Sequence, residues 1–97
     1  MQPIRQGDVI LQPTKLTSGN KLSHLTLAEG EVTGHSHRIT IGNAELYEKD
    51  ASIYLKVLSE TATLTHEEHK AIKIPKGNWM VNIQREYEPM GWRYVAD

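Results

Sequence analysis

The feature that most constrains the fold of this chain is a series of short segments in which apolar and polar residues alternate. Such alternation predicts β-strands, because successive side chains of a strand point to opposite faces. The candidate strands are 8–14, 22–28, 32–41, 44–48, 53–58, 62–66, 71–74, 79–87 and 92–95. Residues typical of turns separate them, as in Ser18-Gly19-Asn20, Glu29-Gly30, Gly42-Asn43, Lys49-Asp50, Pro75-Lys76-Gly77 and Pro89-Met90-Gly91.

Helical patterns are weak by comparison. The one stretch of good helix formers, residues 65–71, is too short to form a stable helix alone. We therefore expect an all-β fold, a small antiparallel β-barrel or sandwich of about seven to nine short strands. The length of 97 residues suits one hydrophobic core, so residues 1–97 are expected to form a single domain.

Charge and composition exclude several classes of function. The net charge is -1 and no basic block occurs, which argues against nucleic-acid binding through the phosphate backbone. Neither an apolar run of about 18 residues nor a leader pattern is found, so we expect no membrane span and a cytoplasmic location. The chain has no cysteine, so any metal site must use imidazole and carboxylate ligands.

The histidines are the strongest chemical signal. Four of the five occur as two tight pairs, His35 with His37 and His66 with His69. In a strand, His35 and His37 would lie on one face about 7 Å apart, where both could bind one ion. Counting on in steps of two places Ile39 and Ile41 on the same face of the strand, so this face is expected to point into the core.

The second pair is predicted to flank a hairpin turn at Glu67-Glu68. His66 and His69 would then lie opposite each other, with Cβ atoms about 5 Å apart. A two-residue turn, however, would direct Ile72 and Ile74 outward, so either a three-residue loop with a β-bulge or one helical turn over 65–69 is needed. His66 is accordingly the firmer ligand of the two. The remaining histidine, His24, alternates with Leu25 and Leu27 and is expected to be exposed.

Together the two pairs predict a site for a divalent transition metal with His35, His37, His66 and His69 as ligands. Imidazole and carboxylate donors suit Zn, Ni, Mn, Fe or Cu better than Ca or Mg. Further carboxylates near the pattern are Glu29, Glu31, Glu45, Glu67 and Glu68. The candidates for catalytic chemistry are Glu67, Glu68 and Arg85, where Arg85 follows the alternating Trp79, Val81 and Ile83.

Two resemblances accompany this pattern. His35-Ser36-His37, Glu45 and Pro75-Lys76-Gly77 resemble the metal-binding HxH, glutamate and PxG turn of cupins, which implies a small β-barrel and a ligand role for His35 and His37. The phrases GEVTGHSHRI, LTHEEH and QREYEP are similar to a family of short uncharacterised microbial proteins, which implies no activity.

Two alternatives to a metalloprotein stay open at this point. The chain could be a non-enzymatic interaction module that uses a sheet edge or a homo-oligomer interface, with structural histidines. It could also bind a small-molecule or anionic ligand through Arg38, Arg85 and the histidines. Alternatively, Arg38 and Arg85 are ordinary surface cations without a ligand.

Overall fold

The chain folds into antiparallel β-structure. The computed structural model describes residues 2–15, 18–29, 34–88 and 91–94, with residues 85–88 and 91–94 described in their backbone alone. Its strands are β1 (Ile4–Gln6), β2 (Val9–Pro13), β3 (Asn20–Lys21), β4 (Thr26–Glu29), β5 (Ser36–Ile41), β6 (Ala44–Lys49), β7 (Ser52–His66), β8 (His69–Ile83), β9 (Arg85–Glu88) and β10 (Gly91–Tyr94). The described residues include no helix, and so none that could cross a membrane.

Eight of these strands form one curled sheet that resembles half of a barrel, which confirms the all-β prediction. The order is β1-β2-β8-β7-β5-β4. Strand β7 is long enough to take two partners along one edge. Its first half pairs with β6, beyond which lies β3, and its second half pairs with β5. Strands β9 and β10 pair only with each other in a separate two-stranded sheet.

The two central strands are much longer than expected. Strands β7 and β8 have 15 residues each, and each of them joins two of the predicted short strands. The turn predicted at Pro75-Lys76-Gly77 is therefore wrong, because these residues lie inside β8. A bulge explains the turn signal. The register shifts between the pairs Val57–Gly77 and Thr61–Pro75, where three residues of β7 face one residue of β8, and Gly77 has a φ of 141°.

Several predicted boundaries also need correction. Strand β1 was not predicted, and the predicted strand 22–28 begins only at Thr26. The predicted strand 79–87 is divided at Gln84. Predicted strand residues Val32 and Val95 and the turn residues Gly30, Pro89 and Met90 lie outside the described residues.

The core lies within the curl of the sheet and is mainly aliphatic. Its buried apolar residues are Val9, Leu11, Leu27, Ala28, Ile39, Leu46, Leu55, Val57, Ala62, Leu64, Ile74, Trp79 and Val81. Trp79 is fully buried, and its indole N–H donates a hydrogen bond of 3.0 Å to the carbonyl of Pro75. The aromatic ring therefore enters the core without leaving its polar atom unpaired.

The expected orientation of Ile41 is wrong. Ile39 is buried, but 66% of Ile41 is exposed. The register of β5 against β7 shifts by one residue between Ile39–Leu64 and Ile41–Thr63. This irregularity reverses the alternation of faces, so parity counted from His37 holds as far as Ile39 and then fails.

Candidate functional site

The turn between β7 and β8 has the form that the sequence predicts. Strand β7 ends at His66, strand β8 begins at His69, and the two histidines are paired across the two-residue turn Glu67-Glu68. A register shift follows at once, because only Thr65 lies between His66 and Leu64 while Lys70 and Ala71 lie between His69 and Ile72. This bulge resolves the parity conflict while the turn keeps two residues, so the expected three-residue loop and the helical turn over 65–69 are both wrong, and Ile74 is fully buried.

The first histidine pair meets this hairpin because β5 pairs with the last residues of β7. Arg38 lies opposite Thr65, which places the start of β5 beside the Glu67-Glu68 turn. His37 is the second residue of β5, and His35 precedes the strand directly after Gly34, whose φ is 88°. The predicted strand placement of His35 is thus wrong by one residue, but His35 still reaches the turn.

The four predicted ligands lie in one cluster. The ring centre of His66 is 4.3 Å from that of His37, 4.7 Å from that of His69 and 5.6 Å from that of His35. His37 and His66 are buried, whereas His35 and His69 are half-buried. The cluster therefore extends from the core to the surface at this end of the sheet. His24 is exposed, as expected.

His37 is held at both ring nitrogens by residues near the N-terminus. Its Nδ1 lies 2.8 Å from Oε1 of Gln6, and its Nε2 lies 3.3 Å from Oδ1 of Asp8. The amide nitrogen of Gln6 donates to the carbonyls of Leu64 and Lys70, so Gln6 Oε1 is the acceptor and His37 Nδ1 the donor. A proton on either Nε2 or Oδ1 is needed for the contact with Asp8. These contacts favour a structural role for His37.

Sequence reasoning missed Gln6 and Asp8. Both are buried polar residues, at 4% and 2% exposure; Gln6 is the last residue of the three-residue β1, and Asp8 lies in the turn that follows. Gln6 donates a hydrogen bond to the carbonyl of Lys70, which belongs to the bulge and has no partner strand residue there. The only available signal was the QGD sequence at positions 6–8, which resembles an ordinary turn.

Glu67 connects the turn to the start of β5. Its Oε1 accepts the backbone N–H of Ser36 at 2.9 Å, and its Oε2 accepts Nη1 of Arg38 at 2.8 Å. These two donors, Ser36 first, lower the pKa of the Glu67 carboxyl from 4.5 to about 2. Glu67 is therefore a carboxylate at neutral pH.

Glu68 contacts the half-buried His35 and the buried His66. Its Oε2 lies 3.2 Å from Nδ1 of His35, and its backbone N–H donates to Nδ1 of His66 at 3.0 Å. Since Nδ1 of His66 accepts this bond, the neutral ring carries its proton on Nε2.

One group of side chains in the described part of the chain has the spacing of a metal site. It consists of His35, His66 and Glu67, with one ligand atom from each within 4.8 Å of the others. His37 and His69 adjoin this group without belonging to it.

The other predicted residues do not belong to this group, although Glu29 pairs with Ser36 beside it. Glu45 contacts Lys21 at 2.8 Å and accepts the Tyr47 hydroxyl at 2.6 Å, on a strand that pairs with the opposite half of β7. Glu29 is exposed on β4. Glu31 lies outside the described residues, and so does the side chain of Arg85, whose backbone belongs to β9. The cupin-like combination of Glu45 with His35 and His37 is therefore not assembled.

Comparisons with known proteins agree with the second resemblance and not with the first. No curated protein and no solved structure matches the chain, and no relative supports a link to cupins. A match to a family covers nearly the whole eight-stranded sheet, including every histidine and both Gln6 and Asp8. Since this match spans residues 5–84, the chain belongs to the family described as a domain of unknown function, DUF8820.

Proposed function

We propose that this domain binds one divalent transition-metal ion through His35, His66 and Glu67. The observation that carries the proposal is the approach of three ligand atoms, from three separate side chains, to within 4.8 Å of one another. Two imidazoles and one carboxylate are ligands that Zn, Ni, Mn, Fe and Cu accept. His69, beside His66, is the candidate for a fourth ligand.

The group must tighten slightly around an ion. Ligand atoms about 2.1 Å from a tetrahedral ion lie about 3.4 Å apart, which is shorter than the present limit of 4.8 Å. His35 is half-buried, so its ring has room to rotate, whereas Glu67 need only shift within its contacts to Ser36 and Arg38. His66 is buried and would act as the fixed ligand.

Binding through Nδ1 of His66 would replace one hydrogen bond. That nitrogen has a single lone pair, which now accepts the N–H of Glu68 at 3.0 Å. A hydrogen bond of this kind contributes about 1 kcal/mol. Structural zinc sites gain on the order of 10 kcal/mol from the metal, so metal coordination would prevail.

Glu68 supports the half-buried ligand His35. If Nδ1 of His35 donates to Oε2 of Glu68, its Nε2 is left as the metal donor. A carboxylate that hydrogen-bonds the far nitrogen of a ligating histidine fixes the tautomer and makes the ligand more basic. Glu68 is thus better suited to orienting His35 than to coordinating the ion itself.

Three protein ligands would leave at least one coordination position for water or a substrate. An ion of that kind lowers the pKa of bound water or polarises a carbonyl, so a metal-dependent enzyme is the extended form of this proposal. The alternative is a purely structural histidine cluster in an interaction module. The contacts of His37 with Gln6 and Asp8 favour it for that one histidine.

Calorimetric titration with Zn²⁺ tests the proposal. We expect one ion per wild-type chain, with at least about tenfold weaker binding in the His35→Ala and Glu67→Gln variants. Both residues are at the surface, and circular dichroism checks that the variants fold. His24→Ala removes an exposed histidine outside the cluster and should bind as the wild type does. Failure of the wild type to bind, or equal affinity in all four proteins, would overturn the proposal in favour of structural histidines.

A further inference from the structure

Arg38 lies next to the proposed metal ligands with most of its hydrogen-bonding capacity unused. Its Nη1 lies 3.2 Å from the carbonyl oxygen of Ser36, 3.0 Å from the Ser36 Oγ and 2.8 Å from Oε2 of Glu67. All three bonds come from one nitrogen. Nε and Nη2 donate to no side chain or carbonyl of the described residues, and 41% of the Arg38 side chain is exposed.

A guanidinium that is exposed and has unused N–H donors is suited to binding an oxyanion. Arginine has five N–H donors in a planar fork that matches two oxygens of a carboxylate or phosphate. Nη1 uses its two hydrogens on Ser36 and Glu67, which leaves the three donors of Nε and Nη2. Glu67 fixes the guanidinium on one side, so little further side-chain entropy would be lost on binding an anion.

The bound ion and Arg38 would be close enough to share one ligand. A metal–oxygen distance of about 2.1 Å and the 2.8 Å contact between Oε2 and Nη1 put the two cations about 5 Å apart or less when both contact Oε2. One oxygen of a small anion on the ion and another on the guanidinium would span this gap. The charges agree, because a divalent ion and Arg38 carry three positive charges against the two negative charges of Glu67 and Glu68.

We infer that the ligand of this site is a small oxyanion, a carboxylate or a phosphate, that bridges the bound metal ion and the guanidinium of Arg38. The inference rests on the proposed function, since it needs the ion at His35, His66 and Glu67. It makes Arg38 a residue that determines specificity, and it excludes cationic ligands from the open position.

Cobalt-substituted protein provides the test. Co²⁺ is added, excess ion is removed, and the cobalt content of each sample is measured. Acetate and inorganic phosphate are then titrated in separate experiments while the visible absorption of Co²⁺ is recorded. We expect a saturable spectral change with at least one of these anions, and the anion that gives it identifies the ligand as carboxylate or phosphate. Arg38→Gln should weaken anion binding about tenfold or more, since it removes charge-assisted hydrogen bonds to the anion.

Two further variants separate the explanations. Arg38→Lys keeps the charge without the fork and should show an intermediate affinity for the anion. Lys76→Gln removes an exposed charge on β8 far along the strand from His69 and should behave as the wild type.

The failures are distinguishable. Wild-type protein that retains no cobalt contradicts the proposed function itself. Cobalt-loaded protein with no response to either anion, or with equal anion affinity in Arg38→Gln, overturns the inference alone. Loss of cobalt from both Arg38 variants also overturns it, because Arg38 would then act only by holding Glu67.

Discussion

The ring of His37 packs against the ring of His66, with 4.3 Å between their centres and 34° between their planes. The first ring comes from β5 and the second from the end of β7, so this contact joins the two histidine pairs. It also separates two chemical environments. On the buried side, Gln6 and Asp8 hold His37, and on the solvent side His66 faces His35 and Glu67. The proposed division between structural and ligating histidines follows from this arrangement.

Gln6 should contribute strongly to stability. Replacing it with alanine removes buried bonds to the Leu64 carbonyl and His37 Nδ1 and a partly buried bond to the Lys70 carbonyl. Each buried polar group left unsatisfied costs about 1–3 kcal/mol, so we expect a loss of about 3 kcal/mol in the free energy of unfolding. Urea denaturation measures it.

Gln12→Ala is the matched control. Gln12 is exposed on β2 and accepts one hydrogen bond from Asn82. Surface changes of this kind usually alter stability by less than about 0.5 kcal/mol. Equal effects of the two glutamine substitutions would show that the Gln6 contacts contribute nothing special.

Gly42 should not tolerate a side chain. A Cβ there would lie 2.7 Å from the carbonyl oxygen of Thr61 and 2.8 Å from Cα of Ala62, and the φ of Gly42 is 100°. Gly34 has a similar φ of 88° but nothing within 4 Å of its Cβ position. Because of the positive φ, both alanine variants should lose about 1–2 kcal/mol in the free energy of unfolding. Gly42→Ala should lose about 1–3 kcal/mol more through overpacking, measured by thermal or urea unfolding. A smaller loss in Gly42→Ala than in Gly34→Ala would contradict the close approach of β7.

One substitution in the turn between β6 and β7 should stabilise the fold. Lys49 pairs with Ser52 across Asp50 and Ala51, whose φ values are 51° and 65°. Two positive φ values identify a turn that favours the Asp-Gly sequence. Ala51→Gly should therefore raise the free energy of unfolding by about 1 kcal/mol, because alanine in this conformation is strained by roughly that amount. Ala44→Gly, in the extended strand β6, should lower stability instead. Destabilisation by both substitutions would argue against this turn geometry.

Glu67 should make stability depend on acid pH. Its pKa of about 2 in the fold lies below the ordinary value of 4.5, so its ionised form stabilises the fold. That contribution is complete above about pH 4.5 and is lost as the pH falls toward 2. In metal-free protein, the difference in unfolding free energy between wild type and Glu67→Gln should shrink over this interval, and the effect should be modest because Glu67 is exposed. Parallel pH profiles for the two proteins would show that Ser36 and Arg38 do not hold the carboxylate.

Much of the sheet could be predicted from local sequence, because alternation and turn residues report directly on strands. The hairpin at Glu67-Glu68 is the clearest success, and the conflict between His66 and Ile74 correctly indicated a bulge. The failures share a cause. Bulges at Gly77 and beyond Ile39 change the register without ending the strand. For this reason Pro75-Lys76-Gly77 has the sequence of a turn but lies in a strand, and Ile41 has the spacing of a core residue but is exposed.

The candidate site was predictable only in part. Pair spacing indicated which histidines to consider, and β5 pairing with β7 brings all four together. The sequence could not show that His37 contacts Gln6 and Asp8, because β1 and the turn after it do not pair with β5 in the sheet. Nor could it show that Glu67 is the carboxylate within reach of His35. Long-range contacts of this kind depend on the curl of the sheet.

Metal content tests the central claim most directly. The chain should be produced without a histidine tag, purified without a metal column, and analysed by plasma mass spectrometry beside a His35→Ala/Glu67→Gln double variant. We expect about one equivalent of a transition metal per wild-type chain and almost none in the double variant. Trace metal in the wild type, or the same metal content in both proteins, would contradict the proposed site.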